Sequence, residues 1–403
     1  MTASPSGDSA TVRTSDVVAF RLHAHNLTAR RPIDDLLEVA GACGVQNSPP
    51  GSALLALHAR VEGVTGDLVD HLVAEDRSLL QSWCMRGAPF FFPAAAAPTF
   101  TTGVLPATEG GRLQLIRGVE QALERLGMGL DEAVDLIADE IHDVLSGRQL
   151  AIGELGEELA ERVARTLPPT RRETWQSEGP YGTHQPLGEA VVHFCIRILT
   201  LRGIVCLAPR AGNKAPFVLL DEWLGGPLPQ TEPDVARADL LRRYLHCYGP
   251  STRKDFAAWL GVRTGDVDPW WTSVEDELTP VDVDGRRGWI LAADLDALRA
   301  PPRAYGVRLL PPHDPYLQMR DRQSIVDKMH HAQLWKTVGD PGAVLADGQI
   351  VGTWRPRKSG RRLTVTVDAF GPSSPTVRDQ VRAEAEQVAV LRGASTVQVE
   401  FAS

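Results

Sequence analysis

The chain has 403 residues, 43% hydrophobic and 23% charged, with a formal net charge of −9, which excludes a disordered or low-complexity protein. That length exceeds one ordinary core and predicts roughly two to four domains. The five cysteines (Cys43, Cys84, Cys195, Cys206 and Cys247) lie far apart, with no Cys-x-x-Cys and no Cys/His cluster, which argues against a disulfide framework and a structural zinc site.

Residues 1–14 read as a flexible tail. Residues 15–108 open with helical patterning in SDVVAFRLHAHNL, PIDDLLEVAGACG, SALLALHARV and DLVDHLVAED, and end in the two-strand ribbon LLQSWCMRGAPFFF. Small and turn residues at 106–111 mark a boundary. Residues 109–232 hold four amphipathic helices, then GIVCLAPRAGNKAPFVLL, two strands around a turn that reads as a wing. In residues 233–302 a helix, a turn at Tyr248-Gly249-Pro250, a helix capped by Ser251 or Thr252, a third helix from about Thr264, and a hairpin turning at Asp284-Gly285 follow one another. That order is a helix-turn-helix with a wing. Residues 303–403 change to short strands around one helix, TVRDQVRAEAEQVAVLRG. The fold class expected is therefore α+β: three tandem winged-helix modules followed by a small β-rich, barrel-like C-terminal domain.

Met1 leads into a Ser/Thr-rich tail and not a signal peptide, and the apolar stretch 190–207 is broken by His193, Arg197 and Arg202, so no membrane span is expected. A reducing cytoplasm is the expected location, with the protein associated with the nucleoid. Charge is polarised along the chain. Residues 109–162 carry thirteen acidic and five basic side chains, whereas 299–362 carry twelve basic and five acidic ones. Such a chain either presents one basic face to phosphate or has two unrelated solvated surfaces. TWRPRKSGRRL places Arg355, Arg357, Lys358, Arg361 and Arg362 around a Ser359-Gly360 turn, with Trp354 beside them. This is either a DNA-binding ribbon whose tryptophan stacks on an unpaired base, or a solvated edge hairpin protected by charge. His23 and His25 lie two residues apart on a helix, project to different faces, and read as surface or packing residues; His330-His331 is equally weak as a metal signal. Neither a metal nor a cofactor is expected.

Four segments in order resemble the winged-helix family that contains the AlkZ/YcaQ crosslink-repair DNA glycosylases: GVQNSPPGSALLALHARV, LLQSWCMRGAPFFF, YGPSTRKDFAAWLG, and LLPPHDPYLQMRDR with VLADGQIVGTWR. The resemblance implies that Gln46 and Asn47 occupy the first two positions of the catalytic Gln-x-Gln or Gln-x-Asp signature, with Ser48 in place of its last residue. Read from the residues alone, Gln46–Ser48 is a polar turn capping a helix that starts near Pro50, with Ser48 as the N-cap. The resemblance also implies DNA-facing or site-supporting roles for Arg60 and Arg86, although an arginine on a packed helix is as often a buried salt-bridge partner, and site-supporting roles for His313, Asp314 and Arg322, the last two as a structural ion pair.

The activity so implied is hydrolysis of the N-glycosidic bond of bulky N7-alkylguanine adducts in duplex DNA by a monomer, giving an abasic site and self-resistance to a genotoxic antibiotic. An N7-alkylated guanine is cationic and leaves without strong acid assistance, so the protein need only hold water at the sugar carbon and stabilise an oxocarbenium-like sugar. An amide does both, its carbonyl oxygen accepting from the water. No lysine in this segment is placed as a Schiff-base nucleophile, which implies a monofunctional enzyme. The alternative is a non-catalytic winged-helix regulator or lesion sensor.

Overall fold

Apolar residues at three- and four-residue spacing fold the middle of the chain into helices that bury one stripe each. In Leu130–Leu145 that stripe is Leu130, Ala133, Val134, Ile137, Ile141, Val144 and Leu145. Ile152–Thr166 and Leu187–Leu201 pack against it and against each other. Gly188 is required here, because a Cβ would overlap the indole of Trp175. That indole donates to the Ala160 carbonyl at 2.9 Å.

The computed structural model describes residues 10–402 apart from 183, 211 and 213. Of the tail expected at 1–14, residues 1–9 lie outside the described residues, Ala10–Val12 is a strand, and a helix starts at Thr14. The fold is α+β, divided into two units: residues 67–240 with 260–273, and residues up to 66 with 241–259 and 274–403.

In the first of these units the ribbon read from the sequence is present. Leu79–Trp83 runs antiparallel to Pro89–Pro93, and the turn between them has Arg86 and Gly87 both in the left-handed region. The wing-like pair Val205–Leu207 and Phe217–Leu219 is also present, and Gln81 pairs with Leu207. The two ribbons thus join into one sheet, in which Leu79–Trp83 and Val205–Leu207 cover each other's open edges.

In the other unit Ala10–Val12 runs parallel to Leu278–Val283, which pairs antiparallel with Arg286–Leu291 through the Asp284-Gly285 turn. Both turn residues have positive φ, as a tight hairpin needs. Val12, Val17, Phe20, Val281, Ile290 and Leu298 form a core beneath this sheet. The turn at Gly249-Pro250 has tertiary support, because the buried Arg21 donates to the carbonyls of both residues and to Asp321. Thr252, not Ser251, caps the following helix by accepting from the Asp255 amide; Ser251 meets the Tyr244 hydroxyl.

The C-terminal strands form an open five-stranded sheet in the order Thr396–Phe401, Arg362–Ala369, Gln349–Ser359, Gly342–Ala346, Val307–Leu310. The expected barrel does not close, because the first and last strands lie at opposite edges. The helix Pro375–Leu391 makes the crossover to Thr396–Phe401, which runs parallel to Arg362–Ala369. It buries Val381, Ala385, Val388 and Ala389 against the sheet. One face is thus covered by a helix and needs no second turn of strands to exclude water.

Candidate functional site

Val45–Gln46 is a two-residue strand between a left-handed Gly44 and the helix Ser52–His58. Gln46 is 8% exposed. The polar turn read from the sequence exists, but Asn47 makes its cap: Oδ1 accepts from the amides of Gly51 (2.9 Å) and Ala53 (3.3 Å). The Asn47 carbonyl is therefore engaged in starting this helix. Ser48 is half-buried.

Two expected DNA contacts are placed elsewhere. Arg60, 2% exposed, donates to both oxygens of Asp314 at 2.8 and 2.7 Å and to the Ala56 carbonyl. Asp314, itself buried, also accepts from the Tyr316 amide. Arg60 is thus the anchor of a buried ion pair and not a phosphate ligand. Trp354 is 1% exposed and donates its indole N–H to Leu310, so it fills the sheet core and cannot stack on a base. Tryptophan on the covered face of a strand looks identical, in one dimension, to tryptophan on the open face.

The basic hairpin itself is present. Gln349–Ser359 pairs with Arg362–Ala369 up to Ser359 opposite Arg362; along it Arg355, Arg357, Lys358, Arg361 and Arg362 are all exposed. Some are held: Lys358 donates to the Arg392 carbonyl and Arg361 to Ser395. Arg322 lies 4.6 Å over the Trp335 ring, while Arg60 takes both oxygens of Asp314; the expected Asp314–Arg322 pairing is replaced by these two contacts. His313 has positive φ and approaches Asp340 at 3.8 Å.

Sequence reasoning missed two further cationic groups. Arg320 is desolvated, its Nε buried without a partner, and it lowers the pKa of neighbouring Arg322, itself lowered chiefly by burial. Like charges held this close in a half-buried setting disfavour each other's charged form. In the other unit Arg197 lies over the rings of Trp83 and Phe194, at 5.6 and 5.7 Å. A planar cation between aromatic rings is suited to phosphate or to a flat ligand. An Arg inside an otherwise apolar helix, as at Arg197, was the available signal. A broad groove of about 1550 Å³, lined by Arg13, Tyr305, His330 and Phe370, contains none of the expected site residues.

The helix after the signature ends in a pH-sensitive contact. Arg30 holds both oxygens of Glu384 at 2.9 and 2.8 Å and donates to the His58 carbonyl. Burial, then Arg30 and Arg308, lower His58 from 6.5 to about 4. Glu384 is already occupied by Arg30 and does not offset this. The folded state therefore favours neutral His58, so this contribution is intact above pH 6.5 and is lost as pH falls toward 4. Urea unfolding at pH 7 and pH 5 should show a loss of about 2 kcal/mol attributable to His58, absent in His58→Gln. An identical pH dependence in the variant would remove the assignment.

The comparisons with known proteins agree along nearly the whole chain. The model of a family described as DNA glycosylase AlkZ-like matches residues 39–390. An interstrand DNA cross-link repair glycosylase of Streptomyces sahachiroi is 29% identical over 400 residues, which span 96% of this chain and 98% of that one. The solved structure of the Streptomyces sahachiroi DNA glycosylase AlkZ is similar with a TM-score of 0.75 at 25% identity, covering 97% of this chain and 100% of that one. With a family match over most of its length, the chain belongs to the AlkZ-like DNA glycosylases, hydrolases of the N-glycosyl bond.

Proposed function

We propose that the protein removes bulky N7-alkylguanine adducts, interstrand crosslinks among them, from duplex DNA, with Gln46 positioning the attacking water. One observation supports the reading: the family match spans residues 39–390 and so includes Gln46, the residue that the resemblance sets at the first position of the signature. Water adds to C1′ as the C1′–N9 bond breaks, and the bonding pair neutralises the cationic purine, which leaves as the neutral adducted base. The water proton passes to solvent, because neither Gln46 nor Ser48 is a strong base. Hence neutral lesions are poor substrates. The product is an abasic site, and the biological gain is self-resistance to a DNA-alkylating natural product.

The helix-plus-ribbon segments at 15–108, 109–232 and 233–302 act in this reading as winged-helix modules. The protein works as a monomer on the nucleoid. Arg355, Arg357, Lys358, Arg361 and Arg362, with Arg86, Arg320 and Arg322, supply the phosphate contacts that offset a net charge of −9. His313 supports the site from the segment carrying Asp314.

The test is duplex DNA carrying an N7-alkylguanine of large aromatic substituent, analysed for free adducted base and alkali-labile strands. Both should appear in equal amounts. An R357E/R361E variant should weaken binding and flatten its salt dependence by roughly two phosphate contacts' worth of slope. Tight adduct-specific binding with no base released would instead identify a lesion sensor.

A further inference from the structure

The sequence scatters five cysteines, yet the fold gathers two of them with a histidine. All five are free and buried. His25 follows the helix Thr14–Ala24, Cys43 follows Leu36–Gly41, and Cys247 is near the end of Pro233–Tyr248. A ring nitrogen of His25 and the two sulfurs lie within 4.8 Å of one another. Metal–ligand bonds of about 2.0–2.3 Å to imidazole nitrogen and thiolate set ligand atoms at this kind of mutual separation.

A second feature points the same way. His25 is 2% exposed and its Nε2 is buried without a hydrogen-bond partner. An orphaned imidazole nitrogen is costly in a core, and a Lewis-acidic ion satisfies it. The ring is fixed by edge contacts with Tyr248 and Tyr316, at 4.8 and 5.5 Å between centroids. The Tyr248 hydroxyl donates to the Pro315 carbonyl at 2.8 Å and sits 3.8 Å from Cys43 Sγ.

Charge is matched as well. Two cations flank the cluster: Arg243 donates to the Gly41 carbonyl, two residues before Cys43, and Arg60 is paired with Asp314.

We propose that His25, Cys43 and Cys247 hold one thiophilic d10 ion, Zn(II) or Cu(I), as a structural centre. Two thiolates neutralise a divalent zinc, and a three-coordinate set of two sulfurs and one nitrogen equally suits Cu(I). Cys43 precedes Gln46 by three residues, so the ion ties the Gly44–Gln46 segment to two helices. The centre is independent of the glycosylase reading, and its tests do not use activity.

The full chain is produced under reducing conditions in medium supplemented in turn with zinc and with copper, then analysed for metal. About one ion per chain is expected, and the one retained in competition names the metal. Absorption-edge spectroscopy on the wild-type chain should show sulfur scatterers at about 2.3 Å together with imidazole. Cys43→Ala and Cys247→Ala should lose the ion, and Cys84→Ala, at a buried cysteine outside the cluster, should keep it. Should the variants fail to fold, the wild-type spectrum alone decides. Substoichiometric metal from both media, a coordination shell without sulfur, or a Cys43–Cys247 disulfide formed in place of metal uptake would each overturn the proposal.

Discussion

Gln46→Ala is expected to slow base release from duplex carrying a bulky N7-alkylguanine by on the order of 10²–10³-fold, while leaving affinity for the adducted duplex within about threefold. In the proposed mechanism the amide acts where charge develops, at the sugar carbon, so its removal would cost transition-state stabilisation and little ground-state binding. Single-turnover rates at saturating enzyme separate the two quantities. Asn47→Ala should behave differently. Its Oδ1 satisfies the amides of Gly51 and Ala53, so its loss should lower stability by about 1 kcal/mol through the unsatisfied helix start. An unchanged chemical rate in Gln46→Ala would remove this residue from the mechanism while leaving the family assignment intact.

The second large effect is on stability. Asp314→Ala should cost about 3–5 kcal/mol, because it strands the Arg60 guanidinium in a site that is 2% exposed and also removes the acceptor of the Tyr316 amide. That is a sizeable share of an ordinary folding free energy of about 5–15 kcal/mol. The double variant Arg60→Met/Asp314→Leu should recover most of the loss, since two apolar groups of similar shape leave no buried charge. Chemical denaturation of the three proteins measures this directly. If Arg60 instead bound phosphate, Asp314→Ala would be mild in stability and Arg60→Met would weaken DNA binding.

Local rules made part of this molecule legible. Asp284-Gly285 declares its turn because a tight hairpin needs two residues that accept positive φ, and the strands on either side pair through it. Ser359-Gly360 likewise places the basic tip where the pairing ends, at Ser359 and Arg362. The helix read in TVRDQVRAEAEQVAVLRG is present as Pro375–Leu391. The role proposed for Gln46 comes only from the resemblance to a known signature, because the residues alone read as a helix cap, and a cap is what Asn47 makes.

Trp354 beside five cations looked like a stacking group. Its face of the strand is decided by the helix Pro375–Leu391, which covers that side of the sheet. Arg60 read either as a DNA-facing residue or as a buried salt-bridge partner, and the fold decided between them by bringing Asp314 to it across 254 residues. His25, Cys43 and Cys247 meet only because three helices end at one point.

The sequence by itself determined the helices and hairpins, the exposed basic tip and the family, because periodicity, turn chemistry and short motifs act over a few residues. Tertiary structure alone decided which charges are buried in pairs, which ribbons fuse into one sheet, that the C-terminal strands stay open, and which distant side chains come together. Those outcomes depend on desolvation and packing between segments far apart in the chain, and no local pattern encodes which of several compatible partners will exclude the water.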